Sequence, residues 1–296
     1  MREIASPHLA QRTTLRLGGT AIAELILECP EDIAPLSRRL RALGGSPVVL
    51  GAGSNILAQD GDLPLVLIRP LLVQGPEVIG EEEGRVLVRA GAGVPLPRLL
   101  RFCAEQGLSG LEGLVGIPGT VGGAVAMNAG SFGVETCEKI DNIMIADADG
   151  VRTVPSCSLQ YAYRSLCIEE KKNDFIVLEA TFGLTRAARD GITNRMRHNF
   201  FEKKSKQPVT AWSAGCVFKN PSAEMPAGKL LEQAGFKGKK MGGMAFSTLH
   251  ANFMINEGRG SARAALALLQ EAKETVRERF GVVLEPEVRI IPCLFP

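Results

Sequence analysis

Glycine is concentrated in residues 116–133, which read GIPGTVGGAVAMNAGSFG. Glycine permits positive φ angles and lets a backbone come close to a ligand, and successive N–H groups in such turns form a concave site for an anion. The segment therefore predicts a cradle for the phosphates of a nucleotide cofactor. The residues expected to contact that cofactor are Gly116, Pro118, Gly119, Gly122, Gly123, Asn128, Ala129 and Gly130.

A second loop follows a predicted strand and is expected to contact the same diphosphate through Gly51, Ala52, Gly53, Ser54 and Asn55. The alternative is that the glycines of both loops only form tight turns. Neither loop is the GxGxxG fingerprint of dinucleotide-binding folds, because that motif must open a helix. The run GGAVAMNAG predicts a strand and a turn instead.

The segments around these loops predict a mixture of helices and strands. An amphipathic pattern predicts a helix over 31–43, with Pro30 at its entry and two glycines at its end. Further helices are predicted at 96–106, in the basic segment from 188, near 227–235 and over 260–280. Strands are predicted just before the Gly51 loop, at 63–70, 84–93, 141–146 and 175–184. The segment 281–292 is predicted as one final strand, with an interruption at Pro286 as the alternative.

A length of 296 residues predicts two or three domains. We predict a cofactor-binding domain over 1–190, made of two subdomains that divide near 60–70. A substrate-binding domain is expected over 191–283, and a terminal strand over 284–296 is expected to return to the active site. The expected fold class is α+β.

Composition argues against several classes of protein. Thirty-four basic and 32 acidic residues nearly balance, so neither nucleic acid nor an anionic membrane is an expected partner. No run approaches the roughly 18–20 apolar residues of a membrane span, and the amino terminus lacks the apolar core of a signal peptide. Seven cysteines without a CxxC pair predict neither a disulfide framework nor a zinc site, which favours the reducing cytoplasm. A monomer is expected.

Nine segments, taken in chain order, resemble the bacterial UDP-N-acetylenolpyruvoylglucosamine reductase family. They are TTLRLGG (13–19), VVLGAGSNIL (48–57), GLVGIPGTVGGAVAMNAGSFG (113–133), YAYR (161–164), KQP (206–208), SAGCVFKNP (213–221), AGKLLEQAGFKG (227–238), HANFMIN (250–256) and LEPEVR (284–289). The resemblance implies an FAD-binding domain of the vanillyl-alcohol-oxidase type and a C-terminal α/β substrate domain. It also implies non-covalent FAD, NADPH as reductant, and reduction of an enolpyruvyl UDP-sugar to UDP-N-acetylmuramate for peptidoglycan synthesis.

The resemblance assigns three catalytic residues. Arg164 in YAYR would bind the substrate carboxylate, since a guanidinium holds a carboxylate in bidentate fashion. Glu287 in LEPEVR would stabilise the developing enolate; only the motif selects it over Glu285. Cys216 stands where the family usually has serine as proton donor, and a thiol is a far stronger acid than a hydroxyl. Without the motif, each of these residues would be interpreted as a salt bridge, a surface charge or core packing.

Substrate contacts are predicted for Lys206, Lys219, Asn220, Gln233 and Asn252, with the UDP diphosphate or sugar as their ligand. No His, Cys and Asp cluster has metal-ligand spacing, so no metal is expected. Two other functions remain open at this point. One is another FAD-dependent oxidoreductase of the same fold, and the other is a nucleotide-binding regulator without catalysis.

Overall fold

The computed structural model describes residues 1–168, 171–172, 174–222 and 224–292; Cys293 lies outside this part of the chain. The chain forms two compact units. The first comprises Met1–Ile4, Ala23–Ala52 and Val66–Glu202, and the second comprises Ala5–Ile22, Gly53–Leu65 and Lys203–Pro296. Both units are discontinuous in sequence. The domain boundaries at residues 190 and 283 remain a prediction.

The α-helices are α1 (Ile33–Leu43), α2 (Leu96–Glu105), α3 (Val121–Ala126), α4 (Arg189–Lys206), α5 (Ala227–Gln233) and α6 (Ala262–Phe280). The strands are β1 (Arg2–Ala5), β2 (Thr20–Leu27), β3 (Ser46–Val49), β4 (Ile56–Ala58), β5 (Asp62–Pro70), β6 (Glu77–Glu82), β7 (Arg85–Gly91), β8 (Leu108–Ser109), β9 (Gly130–Ser131), β10 (Val134–Glu135), β11 (Ile140–Asp147), β12 (Gly150–Pro155), β13 (Leu159–Ala162), β14 (Ser165–Ile168), β15 (Lys171–Lys172), β16 (Ile176–Arg186), β17 (Ser213–Cys216), β18 (Lys240–Met241), β19 (Met244–Phe246), β20 (Phe253–Asn256) and β21 (Arg289–Ile291). None of the described helices is long and apolar enough to span a bilayer.

The first unit is built on an antiparallel sheet in the order β12-β11-β16-β7-β6, with β8 pairing to β16. Alternate residues of β7, Val86, Val88 and Ala90, are buried on one face, as the period of a strand requires. Helix α2 adds an apolar stripe, because its buried residues recur with helical spacing (Leu96, Leu99, Leu100 and Cys103). This core supports the loops on either side of α3.

The second unit contains the antiparallel sheet β17-β20-β19-β18 and the parallel pair β21-β4. Helix α6 begins at Ser261, whose hydroxyl accepts the N–H of Ala264 at 3.1 Å, and ends at Gly281 with φ of +70°. Its buried side chains include Leu268, Leu269 and Val276, which join Phe218 and Phe246 in the core. This packing supports β17, which ends at Cys216.

The structure confirms the predicted helices, since α1, α2, α4, α5 and α6 begin within two residues of the predicted positions or lie inside the predicted range. Two predictions are wrong. The glycine run forms helix α3, because Thr120 caps it and packing of Val121 and Val125 outweighs the low helix propensity of two glycines. The final strand covers only Arg289–Ile291, because Pro286 and its neighbours make a single bridge to Phe218 instead of a continuous ladder.

Candidate functional site

The two glycine loops meet in the first unit. A Cβ added to Gly51 would lie 2.7 Å from the Oγ1 atom of Thr120, the residue that precedes α3. A Cβ at Gly122 would lie 2.7 Å from the Cβ of Ala92. Both distances are too short for a side chain, so glycine at these positions allows close packing. The expected contact of the two loops with one diphosphate is consistent with this approach.

Residues 51–54 carry backbone N–H groups that are available to an anion. Within the described chain, the N–H groups of Gly51, Ala52, Gly53 and Ser54 have no hydrogen-bond acceptor. At the start of α3, by contrast, the N–H of Val121 donates to Val94 and that of Gly122 to Ala92, each at 2.9 Å. The shorter loop therefore offers backbone donors that the N–H groups of Val121 and Gly122 do not, a difference that the sequence did not predict.

Gly123 differs from Gly122 in its surroundings. A Cβ at Gly123 would meet only the Oγ1 atom of Thr120, at an ordinary distance of 3.5 Å. The N–H of Gly123 makes a long hydrogen bond of 3.4 Å to the same oxygen. Gly122 is thus required by packing, whereas the surroundings of Gly123 are open to a ligand.

Asn128 is completely buried and holds the glycine loop together. Its side-chain nitrogen donates to Glu135 at 2.7 Å and to the carbonyl of Ala162 at 3.1 Å, while its side-chain oxygen accepts the N–H of Cys137 at 3.0 Å. Its φ of +39° lies in the left-handed region, which asparagine tolerates better than most residues. The N–H of Ala129 donates to Ala124 at 2.8 Å. Cofactor contact by Asn128 or Ala129 stays a prediction.

Arg164 lies beside the glycine loop within the first unit. Its guanidinium stacks on the ring of Tyr163 at 4.8 Å, and its backbone has a φ of +56°. A Cβ at Gly130 would lie 3.3 Å from the Nη1 atom of Arg164. Glycine at 130 therefore gives the guanidinium room to approach the loop, and Asn128 also contacts the strand that ends two residues before Arg164.

The second unit brings Cys216 and Glu287 onto neighbouring segments of backbone. Phe218 and Pro286 form an antiparallel bridge, and the N–H of Glu287 donates to the carbonyl of Val217 at 2.9 Å. Neighbouring extended segments lie about 4.8 Å apart. Both Cys216 and Glu287 are half-buried, so both side chains keep some contact with solvent. The arrangement places the backbone segments that carry Cys216 and Glu287 side by side at the end of β17.

Asn252 fixes the segment that follows Cys216. The side-chain oxygen of Asn252 accepts the N–H of Phe218 at 3.0 Å, and its side-chain nitrogen donates to the carbonyl of the same residue at 2.8 Å. Its carbonyl accepts the N–H of Val217 at 2.9 Å. Only 2% of Asn252 is exposed. The structure therefore gives Asn252 a positioning role, and the predicted contact with substrate stays a prediction.

Asn55, at the end of the shorter glycine loop, joins that loop to the Glu287 segment inside the second unit. Its side chain donates to the carbonyl of Glu287 at 3.1 Å, and its own carbonyl accepts the N–H of Arg289 at 3.0 Å. A Cβ at Gly53, whose φ is +65°, would lie 2.1 Å from the carbonyl oxygen of Arg12. Sequence reasoning missed the link from Asn55 to Glu287, because 232 residues separate them.

The other predicted substrate-binding residues have varied surroundings. Lys219 forms an ion pair with the exposed Glu285 at 3.3 Å. Asn220 accepts the N–H of Ala227 at the start of α5 at 3.0 Å. Gln233 and Lys206 are exposed. The substrate contacts of these residues stay predictions.

Two of the other cysteines have unreactive thiols. Burial raises the pKa of Cys103 and of Cys137 to about 12, so both remain protonated at neutral pH. The described part of the chain contains no cluster of three or more His, Cys, Asp or Glu residues suited to a metal ion. Cys216, by contrast, is half-buried and lies on a segment whose backbone pairs with that of Glu287.

Comparisons with known proteins agree with this geometry. A family model described as an FAD binding domain matches residues 22–154, which contain both glycine loops. A second model, described as the C-terminal domain of UDP-N-acetylenolpyruvoylglucosamine reductase, matches residues 207–291, which contain Cys216 and Glu287.

Full-length relatives carry the same description. A UDP-N-acetylenolpyruvoylglucosamine reductase from Nitratidesulfovibrio vulgaris is 48% identical over 295 residues, covering 99% of this chain and 100% of the relative. One from Halalkalibacterium halodurans is 37% identical over 290 residues, covering 96% and 92%. The crystal structure of the reductase from Thermus caldophilus is 32% identical, with a TM-score of 0.79 and 98% of each chain covered.

Proposed function

Because the chain belongs to the UDP-N-acetylenolpyruvoylglucosamine reductase family, we propose that it reduces UDP-N-acetyl-3-O-(1-carboxyvinyl)-glucosamine to UDP-N-acetylmuramate with NADPH, in peptidoglycan precursor synthesis. The glycine loops at 51–55 and 116–130 would hold FAD without a covalent bond, and the bound flavin would supply the hydride chemistry that links NADPH to the methylene carbon of the substrate. The chain must supply the other requirements, which are binding of the carboxylate, stabilisation of the enolate and delivery of a proton.

The residues present fit an FAD diphosphate. Four successive N–H groups at 51–54 have no acceptor among the described residues, and they follow one another through a glycine turn. Such a nest of N–H groups is complementary to a phosphate oxygen. Gly123 and Gly130 leave space on the neighbouring loop. We therefore propose that Gly51–Ser54 bind the diphosphate and that Gly116–Gly130 bind the remainder of FAD.

The observation that carries the proposed mechanism is the pairing of the Cys216 and Glu287 segments. Cys216 is proposed to donate the thiol proton to the carbon next to the carboxylate, which completes the reduction and leaves a thiolate that solvent reprotonates. A thiol with a pKa of about 8.5 transfers a proton far more readily than a serine hydroxyl. Glu287 is proposed to stabilise the developing enolate from the neighbouring segment. Arg164 is proposed to pair with the substrate carboxylate and its developing charge.

Positioning contacts support these roles. Asn252 holds the Val217–Phe218 segment, and Asn55 holds the Glu287 segment. Each uses a side-chain amide to satisfy backbone groups next to a catalytic residue. The reacting side chains are thereby attached to backbone with little freedom to shift, and this favours productive geometry.

We propose anaerobic stopped-flow kinetics as the test, with the FAD-loaded protein and the variant Cys216→Ala. Flavin reduction by NADPH should proceed at the wild-type rate. Flavin reoxidation by the enolpyruvyl substrate should slow by roughly 10²–10⁴-fold, the usual contribution of a general acid. Cys216→Ser should recover part of the lost rate, because a hydroxyl can still carry a proton.

Cys157→Ala is the matched control, because Cys157 is an exposed cysteine in the first unit. It should leave both half-reactions unchanged. Wild-type reoxidation in Cys216→Ala would exclude Cys216 as proton donor. Failure of the substrate to reoxidise the wild-type flavin, while NADPH still reduces it, would refute the proposed substrate.

We further propose a monomeric cytoplasmic enzyme that acts on a UDP-sugar and has neither nucleic acid nor membrane as partner. The near balance of 34 basic and 32 acidic residues supports the last point. Light scattering coupled to size-exclusion chromatography tests the state of assembly. A mass near 31.6 kDa is expected, and a mass of twice that value would contradict the proposal.

A further inference from the structure

A cavity of about 620 Å³ lies between α2 and α4 in the first unit. Helix α2 contributes Leu100 and Arg101, helix α4 contributes Met196 and Arg197, and Val115 with Gly116 closes one side. The volume is within the range of about 300–1,000 Å³ in which proteins hold small organic ligands. The proposed enzymatic reaction uses none of the side chains that α2 and α4 contribute to this cavity.

The charges around this cavity are unbalanced. Arg101, Arg189 and Arg197 all line it, whereas Glu105 is its one acidic residue among the described residues. Within the described chain, none of the three arginines has a carboxylate within 4 Å. Arg195, on the same helix, is paired with Glu112 at 2.6 Å.

Other arginines of the first unit resemble Arg195 in this respect. Arg39 pairs with Glu3 at 2.6 Å, and Arg89 pairs with Glu77 at 2.8 Å. The three cavity arginines therefore differ from these in having guanidinium groups available to an external anion.

The remaining walls of the cavity are apolar. Leu100 is almost completely buried, Val115 and Met196 are half-buried, and 42% of Phe200 is exposed. A ligand that covered these side chains would remove apolar surface from water, which stabilises binding by roughly 25 cal/mol for each Å². A guanidinium next to such a wall can hold a carboxylate or phosphate oxygen pair in bidentate fashion.

We propose that this cavity binds a small organic anion with an apolar body and a carboxylate or phosphate head group. The apolar body lies against Leu100, Met196 and Phe200, and the head group is bound by Arg197 together with Arg101 or Arg189. The site adjoins the loop proposed to bind FAD, because Gly116 belongs to both, and binding of an anion to the FAD-loaded protein tests it without the reaction.

The experiment uses FAD-loaded, ¹⁵N-labelled protein titrated with three probes of one chain length below their micelle concentrations: decanoate, decyl phosphate and decylammonium. At least one anionic probe should give saturable chemical-shift changes at Val115, Gly116 and Thr193. Decylammonium should bind at least tenfold more weakly, because its charge is repelled by the arginines. The stronger of the two anions identifies the preferred head group.

Two variants and one control test the site itself. Arg197→Glu should weaken binding of the anionic probe at least tenfold, and Thr193→Trp, which fills the cavity, should abolish the shifts. Arg38→Glu makes the same charge change at an exposed arginine of α1 and should leave binding unchanged. Equal binding of cationic and anionic probes, equal weakening by Arg38→Glu, or absence of saturable shifts with both anions would overturn the proposal.

Discussion

In the first unit, Gly51, Ala52 and the loops around α3 present backbone N–H groups and open space, whereas Gly53 and Ser54 belong to the second unit. In the second, Cys216 and Glu287 present side chains that Asn252 and Asn55 hold through their backbone neighbours. A backbone cradle suits an anion whose position must be fixed but whose bonds do not change. A side chain that gives up a proton must instead be held in one orientation. The two regions therefore should fail in different ways when altered.

The largest effect is expected for Asn252→Leu in the second unit. Leucine has a similar size but leaves the N–H and carbonyl of Phe218 without their partners. Buried groups left unpaired in this way should cost about 2–4 kcal/mol of unfolding free energy. Chemical denaturation followed through Trp212, the single tryptophan of the chain, measures this loss in the same unit.

Asn252→Leu should also slow flavin reoxidation by the substrate while leaving reduction by NADPH unchanged, because it alters the segment next to Cys216. Asn194→Leu, at an exposed position of α4, is the control and should change neither quantity. Equal slowing of both half-reactions would argue against a positioning role specific to Cys216.

Next in size is Gly122→Ala in the first unit. The added methyl group would lie 2.7 Å from the Cβ of Ala92, so α3 or its neighbour must move. Such overpacking typically costs about 1–3 kcal/mol, although alanine favours a helix more than glycine does. Thermal unfolding of the FAD-free protein should show a lower midpoint. An unchanged midpoint would mean that the backbone around Ala92 adjusts without loss of stability.

Gly123→Ala should weaken cofactor binding without destabilising the fold. The new methyl group has room beside Thr120, and alanine within a helix is worth about 0.5–1 kcal/mol relative to glycine. The FAD-free protein should therefore be slightly more stable, whereas the dissociation constant for FAD, measured by flavin fluorescence, should rise about tenfold if Gly123 approaches the cofactor. Unchanged FAD affinity would show that Gly123 does not contact the cofactor. Gly122 and Gly123 would then differ only in how closely they are packed.

Sequence predicted the first region better than the second. Glycines at 51, 53, 122 and 130 mark places where backbone approaches backbone or ligand, and that requirement is local, so it is visible in a single segment. The helical form of Val121–Ala126 was missed, because its stability comes from the packing of Val121 and Val125 and not from propensity. In the second region, motif resemblance identified Cys216 and Glu287. The hydrogen bonds of Asn252 and Asn55, which join residues 34 and 232 positions apart, leave no signal in local sequence.

The smallest expected effect is a difference between the two units in how stability depends on pH. Burial lowers the pKa of His250 in the second unit, with Lys237 lowering it further and Glu232 opposing. The Nδ1 atom of His250 also accepts the N–H of Asn252 at 3.2 Å. The folded state therefore favours the neutral ring. This contribution to stability is complete above the ordinary histidine pKa of 6.5 and is lost as the pH falls through 6.5 towards the lowered value.

In the first unit, burial would raise the pKa of Glu112, but hydrogen bonds from Arg195, Gly110 and Ser109 outweigh it and lower the pKa below its ordinary 4.5. The contribution of Glu112 to stability is therefore kept until the pH falls below about 4.5. The contribution of His250 begins to decrease at pH 6.5, which is two pH units higher. Denaturation midpoints from Trp212 fluorescence between pH 5 and 8 should fall on acidification in wild type and fall less in His250→Gln. His198→Gln, at an exposed histidine of α4, should follow the wild-type curve. If His250→Gln also followed that curve, another group would be responsible for the acid sensitivity of the second unit.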